Sequence, residues 1–244
     1  MEGAAINRFV KYLTAATTPA FWPALASGVM PTVEHIKTFQ RLAPKTLIDV
    51  GANKGQFSLM AQYLFPAIEI HAFEPLENER AIYAKVVRQP TKLYPTALGS
   101  KSGQATFFVT SRADSSSLLQ PGLLQESAYG VSTKARATVA VARLTDVIDL
   151  SKLPRPILLK IDVQGGELEV LRGAENGLPV IDMIYCEVSF AQLYEGQPLA
   201  SEITSYLAEQ GFALKGVFNQ SSTTSLGPTQ ADFLFMPKLE IRSS

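Results

Sequence analysis

The amino-acid sequence predicts an α/β fold with a mostly parallel sheet and helices on both faces. Two observations carry this prediction: short apolar runs alternate with segments of helical periodicity, and the first of these runs ends in an acidic residue followed by two glycines. Such alternation is typical of parallel strands joined by right-handed crossovers. With 244 residues, 46% of them hydrophobic, the chain can bury the core of one large domain.

The elements are predicted from the periodicity of the apolar residues. A helical stripe covers residues 31–43 and leads directly into the first strand. The elements expected after it are strand 46–50, helix 55–65, strand 68–73, helix 77–88, strand 92–98, strands 105–109 and 137–142, strand 156–161, helix 166–173, strand 181–188, helix 199–210 and strands 212–217 and 231–236. The last two strands have no helical pattern between them and are expected to form an antiparallel hairpin. We therefore predict an N-terminal helical cap, residues 1–43, and a single compact domain, residues 44–244.

The segment of residues 111–136 interrupts this alternation. It is polar and rich in Ser and Gly, and it includes Ser115, Ser116 and Ser117. Long loops without regular structure are uncommon in compact domains and are often lids or binding loops. The segment is therefore either a binding loop whose serines bond to a polyhydroxylated acceptor or a solvated insertion without function.

Charge and cysteine content exclude several classes of protein. The 22 basic and 22 acidic residues cancel, so the chain has no net field to attract nucleic acid or an anionic membrane. No apolar run approaches the ~20 residues that span a bilayer. The single cysteine, Cys186, cannot form an internal disulfide, and charged residues interrupt the apolar amino terminus. We expect a cytoplasmic protein without a nucleic-acid partner; the oligomeric state is not readable from the sequence.

The candidate cofactor site begins where the first strand ends. Asp49 lies at that end, Gly51 and Gly55 let the backbone approach a ligand, and Glu74 closes the next strand, where it can accept hydrogen bonds from both hydroxyls of a ribose. A dinucleotide site usually has a third glycine, because the backbone must clear a pyrophosphate. The missing glycine and the added acid favour a zwitterionic ligand such as S-adenosylmethionine. The alternative is structural: a tight turn at the glycines and a helix cap at Glu74.

The candidate catalytic residues lie at the ends of two further strands. Asp162 and Glu187 each close a strand, and Lys160 lies beside the first of them. Ligands bind at the carboxyl ends of the strands of an open sheet, so the two carboxylates can converge on an acceptor hydroxyl. A base that removes its proton adds about 10²–10⁴ in rate. A lysine beside acids stays protonated and orients them or binds the acceptor. The alternative is an ion-paired cluster that orders the strand ends.

A metal site is not predicted, because two acids without a neighbouring His are too few ligands. The chain has two histidines. His35 lies on the predicted helix before the first strand and is expected to be a surface or cap residue. His71 lies within the second strand, where packing is the expected role.

Four segments together resemble a known family. They are residues 47–57, residues 73–75, residues 96–99 and, above all, residues 159–167 with 171–174. These segments are similar to the FkbM family of S-adenosylmethionine-dependent methyltransferases over about residues 45–236. The resemblance implies a class I methyltransferase sheet of seven strands, Rossmann-like in layout, and O-methylation of a hydroxyl on a sugar, another metabolite or a glycan acceptor.

The resemblance also implies cofactor contacts, position by position. Asp49, Gly51 and Asn53 would line the methionine part of S-adenosylmethionine, Glu74 the ribose, and Ala97 and Leu98 the adenine. Two positions depart from the pattern of the family, which commonly has Glu where this chain has Gln164 and Ala where it has Gly166. Gln164 removes a charge near the expected active site.

Two other functions remain open from the sequence. A nicotinamide-dependent oxidoreductase is disfavoured by the glycine spacing and by Tyr185, Tyr194 and Tyr206, since none has a Lys four residues later. A protein of the same fold that binds the cofactor or acts as a scaffold, without turnover, is the other alternative.

Overall fold

The computed structural model describes residues 10–238, so predictions for residues 1–9 of the cap and 239–244 of the domain lie outside the described residues. The strands, numbered along the chain, are β1 (Thr46–Val50), β2 (Glu69–Phe73), β3 (Lys92–Tyr94), β4 (Ala97–Leu98), β5 (Gly103–Thr110), β6 (Thr133–Ala142), β7 (Ile157–Ile161), β8 (Met183–Ser189), β9 (Phe212–Thr223) and β10 (Gly227–Pro237). The predicted strands are present except the one over residues 92–98, and the hairpin strands extend further than predicted.

The α-helices are α1 (the helical residues 10–16), α2 (Trp22–Ala26), α3 (Ile36–Phe39), α4 (Gln56–Leu64), α5 (Glu77–Val86), α6 (Leu123–Tyr129), α7 (Leu144–Val147), α8 (Glu167–Ala174) and α9 (Ala200–Glu209). Short 3-10 helices lie at Pro19–Phe21, Val33–His35, Ala113–Ser115, Leu150–Lys152 and Glu175–Val180. The charges of α8 complement the helix dipole, with Glu167 and Glu169 in the first turn and Arg172 in the last. In residues 10–238 no helix is both long enough and apolar enough to cross a bilayer.

The main sheet has seven strands in the order β3-β2-β1-β7-β8-β10-β9. β1 pairs in parallel with β2 and with β7, and β7 pairs in parallel with β8. β10 is antiparallel to both β8 and β9. The seven-stranded, mostly parallel sheet with a terminal antiparallel hairpin is therefore confirmed. Its parallel strands end at one edge, where the candidate site lies.

Helices cover both faces of this sheet. One face packs under α8 and α9, with Ile48 and Leu159 in its core. The other packs under α4 and α5, and its core includes Leu47 and Phe39. Because both faces are covered, β1 and β7 are buried along their whole length. Phe39 belongs to the predicted cap, so the cap shares this core; the boundary at residue 43 stays a prediction.

The structure corrects the prediction of one strand over residues 92–98. The segment forms β3 in the main sheet and β4 in a separate sheet of order β4-β6-β5. Pro95 lies between them, and a proline cannot donate a ladder hydrogen bond. The chain therefore leaves the main sheet at this residue.

The segment of residues 111–136 is also more regular than predicted. It contains a 3-10 turn, α6 and the start of β6. It is bridged to the rest of the fold at Phe108–Ser117 and at Pro121–Tyr194. The single predicted helix over residues 31–43 is likewise shorter, a 3-10 turn that runs into the one-turn helix α3.

We predict that Gly173→Ala destabilises the fold, because a Cβ atom there would collide with the backbone carbonyl of Gly99. The expected loss in the free energy of unfolding is about 1–3 kcal/mol, the usual result of overpacking. Gly166→Ala is the matched control, since Gly166 has an ordinary φ of −92° and its methyl group would approach only Val163, at 3.4 Å. Urea denaturation compares the two variants, and equal losses would contradict the prediction.

Candidate functional site

A cavity of about 460 Å³ opens at the carboxyl ends of β1, β2 and β7. Its volume lies in the ordinary range for small-molecule sites. Its walls are the ends of these strands, the residues that precede α3 and the segment of residues 111–136. Seven of the predicted site residues line it: Gly51, Asn53, Glu74, Ala97, Leu98, Lys160 and Asp162. The other three predicted site residues do not line the cavity: Asp49, Gly55 and Glu187.

The two glycines have different tasks. Gly51 has a φ of +76°, and a Cβ atom there would collide with the backbone carbonyl of Asp162. Only glycine therefore lets the loop after β1 approach the loop after β7. Gly55, with a φ of +90°, begins α4, and a Cβ atom there would press on Tyr83 and Val87. Gly55 shapes the turn and packs against α5.

The Glu74 carboxylate is held by backbone groups at the cavity wall. Its Oε2 accepts a hydrogen bond from the Asn53 N–H at 3.0 Å, and its Oε1 accepts one from the Leu76 N–H at 2.7 Å. Burial raises the pKa of Glu74 to about 7, although these two hydrogen bonds oppose the change. Glu74 therefore titrates near neutral pH, and among residues 10–238 each of its two oxygens accepts one hydrogen bond.

Asp49 lies beneath the cavity, where it is fully buried. Lys160 Nζ lies 3.1 Å from its Oδ1, and the Ser58 hydroxyl donates to its Oδ2 at 2.7 Å. The Tyr83 hydroxyl donates in turn to Ser58 Oγ at 2.9 Å. The structure thus brings Asp49 to Lys160 rather than to the cavity, and direct contact with a cofactor stays a prediction.

Lys160 connects this buried pair to the cavity. Its Nζ donates to the Gly51 carbonyl at 3.1 Å, lies 3.8 Å from Asp162 Oδ2 and stands 5.7 Å from the centre of the Phe57 ring. Burial alone would lower the pKa of Lys160, but the carboxylates of Asp49 and Asp162 outweigh it and the pKa is raised. Lys160 is therefore a cation at neutral pH.

The two predicted catalytic carboxylates do converge. Gln164 lies between them, and its Nε2 donates to Asp162 Oδ1 at 2.8 Å and to Glu187 Oε2 at 2.7 Å. Asp162 faces the cavity with 38% of its side chain exposed. Burial, followed by the charges of Asp162 and Asp232, raises the pKa of Glu187 well above its usual range. The two carboxylates thus differ in location. Asp162 faces the cavity, whereas Glu187 does not line it and contacts the Gln164 amide.

A second polar cluster, which the sequence did not predict, lines the cavity on the side of the cap. The Asn219 amide donates to Asp232 Oδ2 at 2.9 Å and to His35 Nδ1 at 2.8 Å, and the Tyr185 hydroxyl lies 3.1 Å from the same nitrogen. Burial lowers the pKa of His35 to about 3 and raises that of Asp232 to about 6.

His35 is therefore buried and neutral. Of the two expected locations, the surface is wrong, whereas the residue does lie within the segment predicted as the cap. Asp232 lies opposite Glu187 in the antiparallel pairing of β10 with β8. The predicted hairpin pairs β10 with β9 and therefore gave no signal for this contact. His71, in contrast, packs within the sheet as expected: its Nε2 lies 2.9 Å from Glu69 Oε1 and its ring stacks on Tyr94.

The serines of residues 111–136 are not solvated, which rules out a loose linker at this point. Ser115, Ser116 and Ser117 are all buried, and the hydroxyl of Ser117 donates to the Gln164 carbonyl at 2.8 Å.

Gly166, one of the two departures from the family pattern, has room for a side chain, since a Cβ atom there would approach only Val163, at 3.4 Å.

The sequence is similar to known proteins over most of its length. Residues 49–214 match the model of the methyltransferase FkbM domain. The chain is 25% identical to the hexuronic acid methyltransferase AglP of Haloferax volcanii, over 69% of each chain. It is 28% identical to the 2-O-methyltransferase NoeI of Sinorhizobium fredii, over 70% of this chain and 77% of that one. It is also 28% identical to the 31-O-demethyl-FK506 methyltransferase FkbM of Streptomyces tacrolimicus, over 69% of this chain and 72% of that one.

The matched region runs from the end of β1 into β9 and thus contains both loops that Gly51 brings together. It includes every residue that the sequence analysis assigned to the site. From this match and the seven-stranded sheet that carries it, the chain belongs to the FkbM methyltransferase domain family.

Proposed function

We propose that this protein transfers the methyl group of S-adenosylmethionine to a hydroxyl oxygen of a sugar or another metabolite. Family membership supports methyl transfer, and the Glu74 carboxylate is the observation that supports this cofactor. One lone pair on each of its oxygens is occupied by a backbone N–H. A carboxylate oxygen accepts about two hydrogen bonds. Each oxygen therefore retains an acceptor position, which matches the two neighbouring hydroxyls of a ribose.

The walls beside Glu74 fit the rest of the cofactor. Ala97, Leu98 and Phe107 are apolar lining residues against which a flat adenine would lie, and Gly51 and Asn53 also line the cavity, where the methionine part would lie. When bound, S-adenosylmethionine supplies an electrophilic methyl group. The protein must then align an acceptor oxygen with it, which is worth ~7–11 kcal/mol in well-oriented intramolecular systems.

The acceptor would occupy the part of the cavity between the cap and β10. Asp162, His35 and Asp232 line this part. Asp162 is our proposed proton acceptor, because of the two predicted catalytic carboxylates it is the one that lines the cavity. Lys160 stays charged and orients it. Glu187 is connected to it through the Gln164 amide. The names of two relatives specify a hexuronic acid and a 2-O position, which supports a sugar hydroxyl as the acceptor.

The two alternative functions considered from the sequence are not equally supported. Membership of a methyltransferase family leaves the nicotinamide-dependent oxidoreductase without support. A protein that binds the cofactor without turnover would show the binding predicted below and no methyl transfer. A cytoplasmic location and the absence of a nucleic-acid partner stay predictions.

We predict that Glu74→Gln weakens S-adenosylmethionine and S-adenosylhomocysteine alike. The amide removes a charged acceptor worth ~1.5–3 kcal/mol, so the expected loss of affinity is about 10- to 100-fold. Calorimetric titration measures both ligands, with NAD as the ligand that should not bind. Glu77→Gln is the matched control, since Glu77 is an exposed residue of the following helix. Failure of the folded wild type to bind either adenosyl ligand would overturn the proposed function.

We predict that affinity for S-adenosylhomocysteine falls as the pH drops below about 7. The pKa of Glu74 is about 7 without ligand, and hydroxyl donors favour its ionised form, so binding releases a proton. The affinity should therefore fall by at most about tenfold per pH unit on the acidic side. Calorimetry at pH 6 and pH 8, in buffers of different ionisation enthalpy, measures the proton release. Glu74→Gln should lose this component, whereas titration of the ligand's own amino group is common to both proteins.

We predict that Asp162→Asn lowers kcat by about 10²–10⁴ with little change in the KM for S-adenosylmethionine, because a general base acts on the acceptor. Release of S-adenosylhomocysteine over a panel of methyl glycosides and uronic acids provides the assay. Asp146→Asn, at an exposed residue of α7, is the matched control. An unchanged kcat in Asp162→Asn would remove Asp162 from this role, and Asp232→Asn would then be tested as the alternative base.

A further inference from the structure

We infer that Gln164 is a positioning residue: its single amide group holds Asp162 and Glu187 together and connects this carboxylate pair to the segment of residues 111–136. The role in methyl transfer rests on the proposed function, whereas the structural link does not. Gln164 was noted in the sequence as a departure from the usual glutamate, and the structure gives the glutamine side chain a complete set of partners.

The donors of the amide are fully used by the two carboxylates. A primary amide has two N–H donors, and Gln164 Nε2 directs one to Asp162 Oδ1 at 2.8 Å and the other to Glu187 Oε2 at 2.7 Å. Gln230 Nε2 donates to the same Glu187 oxygen at 2.9 Å. Two carboxylates at such close quarters repel each other and favour uptake of a proton. The amide donors reduce that tendency without adding a charge.

The carbonyl end of the amide lies against Tyr194. The Tyr194 hydroxyl lies 3.0 Å from Gln164 Oε1 and 2.9 Å from the Ser115 carbonyl, and its single proton is shared between these two acceptors. If the amide were rotated by half a turn, its carbonyl oxygen would face two carboxylates. The two carboxylates therefore select the rotamer, and the tyrosine hydroxyl holds the carbonyl end of the amide next to the Ser115 backbone.

The same tyrosine belongs to the contact with the segment of residues 111–136. Its hydroxyl lies 2.9 Å from the Ser115 carbonyl and accepts a hydrogen bond from Gln125 Nε2 at 3.0 Å. The backbone of Gln164 is attached to this segment as well, through the Ser117 hydroxyl, and it has a φ of +59° that few non-glycine residues adopt. Docking of the segment and orientation of the amide are thus one hydrogen-bond network.

For the reaction, this network keeps Asp162 available to accept a proton from a hydroxyl. The charged and titratable groups around Glu187 come from every neighbouring element. They are Lys160 of β7, Asp162 in the following loop, Glu167 at the start of α8, Tyr194 in the loop after β8 and Asp232 of β10. Acids outnumber the single lysine among these groups, and the neutral amide of Gln164 lies between two of them.

The test compares Gln164→Glu with Tyr194→Phe. Glutamate at residue 164 keeps the shape of the side chain but brings a third carboxylate to the pair, so we expect the acidic limb of the pH–rate profile and the pKa of Glu187 to rise by about one unit or more. Phenylalanine at residue 194 removes the hydroxyl that holds the carbonyl end of the amide, so we expect a smaller change in the same direction. The KM for S-adenosylmethionine should change by less than twofold in both.

Titration of ¹³C-labelled Asp and Glu side chains by NMR reads the carboxylates directly in the unliganded protein. Gln120→Glu is the matched control, because Gln120 is an amide of the same segment that donates to Glu195 at 2.9 Å on the exposed surface. It makes the same chemical change outside the pair and should leave the titration of Glu187 unaltered.

An unchanged titration of Asp162 and Glu187 in folded Gln164→Glu would overturn the inference. If that variant does not fold, Tyr194→Phe decides alone, and an unaltered pH–rate profile and titration would overturn it equally. The NMR titration requires neither cofactor nor acceptor. Failure to bind S-adenosylhomocysteine would therefore overturn the proposed function while leaving the structural link tested on its own.

Discussion

The buried ion pair between Asp49 and Lys160 is the interaction on which the rest of the site depends. It joins β1 to β7 at positions that face each other in the parallel register. A buried pair repays its desolvation only when further hydrogen bonds satisfy both groups. Here the Ser58 hydroxyl serves the carboxylate, and the Gly51 carbonyl serves the ammonium group. The pair thus aligns the strand ends from which the cavity wall begins.

The four acids at the strand ends share one chemistry and differ in surroundings. Asp49 is neutralised by a lysine, and Glu74 is held by two N–H groups beside the cavity. Asp162 is partly exposed, and Glu187 lies behind an amide. Burial without a cation raises a carboxyl pKa, whereas a close cation lowers it. Carboxylates in different surroundings thus suit the structural, binding and proton-accepting roles that we propose for this edge of the sheet.

The acids could be found from the sequence because each follows an apolar run that reads as a buried strand. The sequence could not show which of these acids faces the cavity. This depends on the pleat and on the register between strands about 110 residues apart, as for Asp49 and Lys160. The His35 and Asp232 cluster was missed for the same reason, because its members come from opposite ends of the chain. The fold was largely predictable, since its periodicity is local. The exceptions, at Pro95 and in residues 111–136, are places where tertiary contacts decide the path.

The cavity has walls of two kinds. The side that we propose for the cofactor is built from strand ends whose backbones touch at Gly51, so a change there disturbs the main sheet itself. The opposite side is built from residues before α3 and from the segment of residues 111–136, both of which lie over the sheet. Evolution can therefore vary the two covering segments while the sheet edge is preserved. A lineage of such enzymes would diversify in what it modifies long before it changed how the modification is made.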